Sequence, residues 1–150
     1  MKRRISPNLM SHETQCRCGC GYGSKPSDFD PKLLDTFEKI RFLLNMKLGK
    51  KNVPVLVSGP ARCLKHNREV YMRLYETTAG ADGSKHCPDR WGKCRALDIY
   101  QNAVRNKQFH DWILAWQEEG LLPHLGGLGE YHNRVHIDTH WIGRLRRWHG

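Results

Sequence analysis

Three separated stretches of this chain carry side chains able to grip a metal ion: Ser84-Lys85-His86, Asp98, and Val135-His136-Ile137-Asp138-Thr139-His140. The last alternates along its length. As an extended strand it puts His136, Asp138 and His140 on one face and Val135, Ile137 and Thr139 on the other. Two imidazoles and a carboxylate suit Zn²⁺, and three protein ligands leave a fourth position for water, the arrangement of a catalytic rather than a structural site. Four of the nine histidines fall within residues 132–149. Cys16-x-Cys18-x-Cys20 adds a tight thiol group without the Cys-x-x-Cys spacing of common zinc knuckles.

These residues need a frame. Asp30-Pro31 offers a helix cap and a first-turn proline, and Leu33, Phe37, Ile40 and Leu44 follow at helical spacing, which predicts a helix over 31–46. Val53-Pro54-Val55-Leu56-Val57 reads as a strand closed by a Ser-Gly-Pro turn. A second helix is expected over 64–75 and a long Gly- and Cys-containing loop over 76–94, the kind of loop that is usually functional. Ala96-Leu97-Asp98-Ile99-Tyr100 reads as a strand with Leu97 and Ile99 inward and Asp98 on the other face. Val104, Trp112, Ile113 and Trp116 predict a helix within 102–119, and residues 120–130 read as a loop. Helices and strands without regular alternation predict an α+β fold, one domain built on a small antiparallel sheet with flanking helices. Residues 1–29 read as a Cys/Gly-rich arm packed on that domain (30–143), and residues 144–150 as a flexible basic tail.

With 150 residues, 39% of them apolar, the chain can bury a real core. No apolar run approaches the roughly 18 residues a membrane helix needs. The basic start, Met1 to Asn8, has no apolar run behind it, so no secretory signal is expected and the chain is expected to be made in the reducing cytoplasm. A net charge of +10 suits a polyanionic partner such as nucleic acid, an anionic membrane or an anionic cell wall.

The words around the candidate ligands resemble a family. Ser58-Gly59-Pro60-Ala61-Arg62 with His66-Asn67, Ser84-x-His86 with Ala96-x-Asp98-Ile99, and Gly127-Leu128-Gly129-Glu130-Tyr131 with Val135-His136-Ile137-Asp138 are similar, in order, to three segments of the zinc D-Ala-D-Ala peptidases. That group holds carboxypeptidases and phage endolysins and is related in fold to lysostaphin-type enzymes and the hedgehog domain. The resemblance implies His86, Asp98 and His136 as ligands of one catalytic Zn²⁺. It implies Arg62 for the substrate carboxylate or oxyanion, with Ser84 and Tyr131 as further substrate contacts. Many relatives carry an acidic base three residues before the last histidine, where this chain has Asn133, so Asp138 is the favoured general base and Glu130 the second candidate. His132 and His140 are possible electrostatic helpers, and His66 is the substitute ligand if His86 is displaced. Eleven residues separate His86 from Asp98, more than the family's usual spacing, so the surplus must loop out, with Cys87 and Cys94 placed to close it as a disulfide or on a metal. Cys16, Cys18 and Cys20 are expected to pair with Cys63 on a second, structural metal.

The implied function is hydrolysis of peptidoglycan stem or crossbridge peptides containing D-amino acids, as carboxypeptidase or endopeptidase. The chain would act as a monomer on the anionic cell wall after release in lysis or from a virion. The alternatives are a zinc-binding wall module without catalysis and a metal-dependent nuclease using His132, Asn133 and His136, although no nucleic-acid partner is expected.

Overall fold

The computed structural model describes residues 2–150, and they form the expected α+β fold. The arm opens with strands β1 (Arg4–Ser6) and β2 (Leu9–Met10) and a short helix α1 (Ser11–Thr14). Helix α2 (Pro31–Leu48) is capped by the Asp30 carboxylate, which accepts from the Lys32 amide, and stops at Gly49 in the left-handed region. Leu33, Phe37, Ile40 and Leu44 are all fully buried, as their spacing predicts. Each contributes roughly 1.5–3 kcal/mol by leaving water.

A five-stranded sheet carries the rest. Its strands are β3 (Leu56–Gly59), β4 (Ala96–Tyr100), β5 (Gly127–Glu130), β6 (Val135–Asp138) and β7 (Arg146–His149), in the spatial order β3-β4-β6-β5-β7. All neighbours are antiparallel except β5 and β7, which run parallel. Helix α3 (Leu64–Tyr75) follows β3, and α4 (Asn106–Glu118) follows β4. Leu97, Ile99, Val135, Ile137 and Leu128 join α2 and α4 residues in one core, and Ile5 and Leu9 of the arm enter it too.

Several boundaries differ from the sequence reading, each for a physical reason. The first sheet strand starts at Leu56 rather than Val53, because the Asn45 side chain of α2 pairs with the amide and carbonyl of Val53 and Pro54 has no amide to give. Helix α4 starts at Asn106 because the Gln101 side chain accepts from the amides of Ala103 and Val104 and holds them in a turn. Residues 127–130, read as loop, are strand β5: glycine patterning hid a segment whose backbone pairs on both sides. Residues 146–149, read as a flexible tail, form β7 and cover that edge. The arm, for which the sequence reading assigned no strands, contains the β1–β2 hairpin. The stretch after His86 does loop out. Asp89 accepts from the amides of Trp91 and Lys93 while its own amide donates to the Lys93 carbonyl. The loop then returns to the domain through Cys94, whose amide donates to the Asp28 carbonyl.

Candidate metal centre

The register of the sheet builds the centre. Asp98 on β4 lies opposite His136 on β6, so alternation sends both side chains to the face away from the core. On the other side of β4, the register partner of Asp98 is Gly59, where an added Cβ would overlap the Asp98 carboxylate. The absence of a side chain at Gly59 is what admits the carboxylate. His86 comes from the 76–94 loop, fixed where its carbonyl accepts from the Arg62 amide and where the Arg95 amide donates to Lys85.

Three donor atoms meet. His86 Nε2 lies 3.3 Å from Asp98 Oδ1, and His136 Nδ1 lies 3.0 Å from the same oxygen. The two rings face each other edge to face at 5.2 Å. All three residues are more than nine-tenths buried. Each imidazole has its other nitrogen engaged. His86 Nδ1 lies 3.0 Å from the Pro60 carbonyl, which can only accept, so Nδ1 carries a hydrogen and Nε2 is the nitrogen turned to Asp98. His136 Nε2 lies 2.9 Å from Asp138 Oδ2 and donates to it, which leaves Nδ1 for the centre. Such outer partners fix tautomer and ring orientation in metal sites.

Electrostatics agree with the geometry. Burial opposes ionisation of Asp98, but the two imidazoles outweigh it and hold the carboxyl well below the usual carboxylate range. Burial likewise disfavours a charged His136, yet its bonds to Asp138 and Asp98 raise its pKa. A carboxylate oxygen wedged between two ring nitrogens calls for positive charge among them, which a proton or a divalent cation supplies. The donor set, two nitrogens and one oxygen, fits Zn²⁺ with an open position.

The centre floors a cleft of about 200 Å³. Arg62, Ser84 and Tyr131 line it, as expected from the sequence. Arg62 is held by Asn67, whose Oδ1 accepts from the guanidinium at 3.0 Å, and Asn67 is itself anchored to the Ala81 carbonyl. The Ser84 hydroxyl accepts from the His86 amide at 3.4 Å. The Tyr131 hydroxyl accepts from the Trp148 indole at 2.9 Å.

Other expected residues stand elsewhere. Asp138 is fully buried behind His136, with Oδ2 on that ring and Oδ1 taken by Arg146 and the His140 amide. Neither oxygen is free to face the cleft, so the structure places Asp138 as the partner that orients His136, not as a base at the metal. Glu130 is a register partner of Val135, a core residue, and therefore shares its face of the sheet, the one turned away from the candidate centre. There it pairs with His149 at 2.9 Å. Strand alternation thus keeps its carboxylate away from the candidate centre. His132 and Asn133 open onto two further hollows, so the His132/Asn133/His136 set of the nuclease reading is not assembled. The His140 amide donates to Asp138, behind the His136 ring, and its side chain does not line the cleft. His66 sits beside Glu69, outside the cleft, and His86 needs no substitute. Cys87 and Cys94 are free thiols, with burial pushing them up to about 11 and about 12, and the disulfide that would close the loop is not formed.

Three residues escaped the sequence reading. Arg134 stacks over the Tyr131 ring at 4.3 Å and brings its Nε within 3.8 Å of Asp98. Trp148 lies 4.9 Å from the His136 ring, over Gly129. Arg146 neutralises Asp138. The alternation Arg146-x-Trp148 was the available signal, and reading the stretch as a tail concealed it.

No family model, curated protein or solved structure matches this chain. Its likeness to the zinc D-Ala-D-Ala peptidases rests on the sequence words alone.

Proposed function

We propose that this chain is a zinc-dependent peptidase that cleaves peptidoglycan peptides containing D-amino acids. One observation carries the reading: two imidazole nitrogens and a carboxylate oxygen converge at the floor of a cleft whose rim presents the anchored guanidinium of Arg62. The substrate class comes from the resemblance of the three sequence segments. Zinc bound there would acidify a coordinated water and polarise a carbonyl.

The chain's own residues do the rest. Arg62, preset by Asn67, offers a forked donor to a peptide carboxylate or to the oxygen of a tetrahedral intermediate. Arg134 adds a second cation on the same rim. The tyrosines and leucine of α3, Tyr71, Tyr75 and Leu74, give the cleft an apolar wall suited to small alkyl side chains. Excess positive charge favours approach to an anionic wall, and action there as a monomer after release belongs to the same proposal.

A second reading has its own support. Among the described residues, no carboxylate other than Asp98 lines the cleft. A zinc-binding wall module without turnover would look the same. Mass analysis of products from muropeptides of known stem sequence decides between them. The proposal expects defined cleavage products, abolished by a chelator and restored by Zn²⁺. Binding to peptidoglycan without any product from zinc-loaded protein would overturn it in favour of the module.

A further inference from the structure

We infer that Cys16, Cys18, Cys20 and Cys63 hold a structural Zn²⁺ as four thiolates, and that this ion clamps the N-terminal arm onto the segment that carries Arg62. The sulfur atoms already stand at the spacing such a site requires. Cys16 Sγ is 3.4 Å from Cys18 Sγ and 3.9 Å from Cys63 Sγ, and Cys18 and Cys63 are 3.7 Å apart. All four sulfurs lie within 4.8 Å of one another. A tetrahedron with Zn–S bonds of ~2.3 Å has sulfur–sulfur edges of about 3.8 Å. A disulfide would need ~2.05 Å, and all four thiols are free.

The surrounding backbone is arranged for thiolates. The Cys63 amide points at Cys16 Sγ at 3.4 Å, and the His66 amide points at Cys63 Sγ at 3.3 Å. Donors aimed at sulfur spread its negative charge. Left-handed Gly19 and Gly21 curl the chain so that Cys18 and Cys20 close on the same point. Gly19 donates back to the Cys16 carbonyl, and Cys16 donates to that of Tyr22, which closes the turn. Four protein ligands leave no open position, the mark of a structural site.

The consequence lies in the chain order. Cys63 directly follows Arg62 and is the N-cap of α3, the helix that carries Asn67 and so sets the guanidinium. Ala61 donates to the Thr14 carbonyl, so the same segment is also tied to the arm by its backbone. An ion shared by Cys63 and the arm fixes the start of α3, making the thiolates positioning residues for Arg62. This inference does not depend on the peptidase reading.

The test loads reduced wild-type chain with Co²⁺ or Zn²⁺ and counts metal. The expected result is about two ions per chain, with a thiolate-to-cobalt charge-transfer band. In His86→Ala the count falls to about one and the band stays. In Cys18→Ser/Cys20→Ser the band is lost, the count falls to about one, and amide exchange over residues 61–67 rises roughly tenfold or more. If that variant fails to fold, wild type still decides, because four thiols must be protected from a thiol reagent until a chelator is added. A wild-type chain without the band, or with those thiols equally reactive before and after chelation, overturns the site. A Cys18→Ser/Cys20→Ser chain that loses the metal with unchanged exchange over 61–67 overturns the clamp.

Discussion

The two ligand clusters are built in opposite ways. The His86–Asp98–His136 centre is buried, and two of its ligands stand on adjacent strands whose register is fixed by the core beneath them. Each imidazole is oriented before any ion arrives, by Pro60 or by Asp138. The Cys16–Cys18–Cys20–Cys63 group hangs on glycine turns and a helix cap, with two of its four residues exposed. Without an ion it is held by the backbone bonds that close the turn, by the Ala61–Thr14 link and by hydrogen bonds to sulfur. The sheet gives the first cluster its precision, whereas in the second the ion would give rigidity to the chain. A preorganised site can leave a ligand position open for chemistry; a site that must organise its own loops uses every position.

The sharpest way to break this contrast is Asp98→Ala. It removes the oxygen shared by both imidazoles, so the nitrogen–oxygen centre should lose its metal and any peptidoglycan turnover, while thiolate-bound metal persists in elemental analysis. Joint loss of both ions would show that the clusters are not independent. Gly59→Ala should come next. It touches no ligand, yet its methyl would occupy the space of the Asp98 carboxylate, so zinc affinity should fall by about 100-fold in a competition titration. Asp138→Asn keeps the shape but weakens the acceptor for His136 Nε2, and a drop of roughly 10–100-fold in zinc affinity is expected. If Asp138 were instead the proton acceptor, turnover would fall with zinc affinity unchanged. The smallest effect belongs to Glu130→Gln. On the far face of the sheet it should leave zinc affinity and turnover as they are, and shift stability by no more than about 1 kcal/mol on thermal unfolding.

Alternation made much of the centre legible. Period two around Asp98 and around His136 separates the core-facing residues Leu97, Ile99, Val135 and Ile137 from those of the candidate centre, and the structure puts each on the expected side. The same rule shows why Asp138 misled. Alternation places it on the face of His136, but it cannot say on which side of the imidazole it lies. Glu130 misled for a related reason: a strand read as a loop has no faces to assign. Arg146 and Trp148 were hidden because β7 pairs in parallel with β5, a contact that no local pattern announces. Helix α2 was read almost to its ends because its cap, proline and apolar spacing are all local.

By itself the sequence determined the α+β class, the helices that cover the core, the strands that carry Asp98 and His136, and the inventory of nitrogen, oxygen and sulfur donors, since these follow from periodicity and residue type within a few neighbours. Only the tertiary structure decided which carboxylate shares the candidate centre and which stands behind it, which nitrogen of each histidine faces Asp98, and that Cys63 meets a turn more than forty residues earlier. Those outcomes depend on register between distant strands and on hydrogen bonds across long loops, and no run of neighbouring residues encodes them.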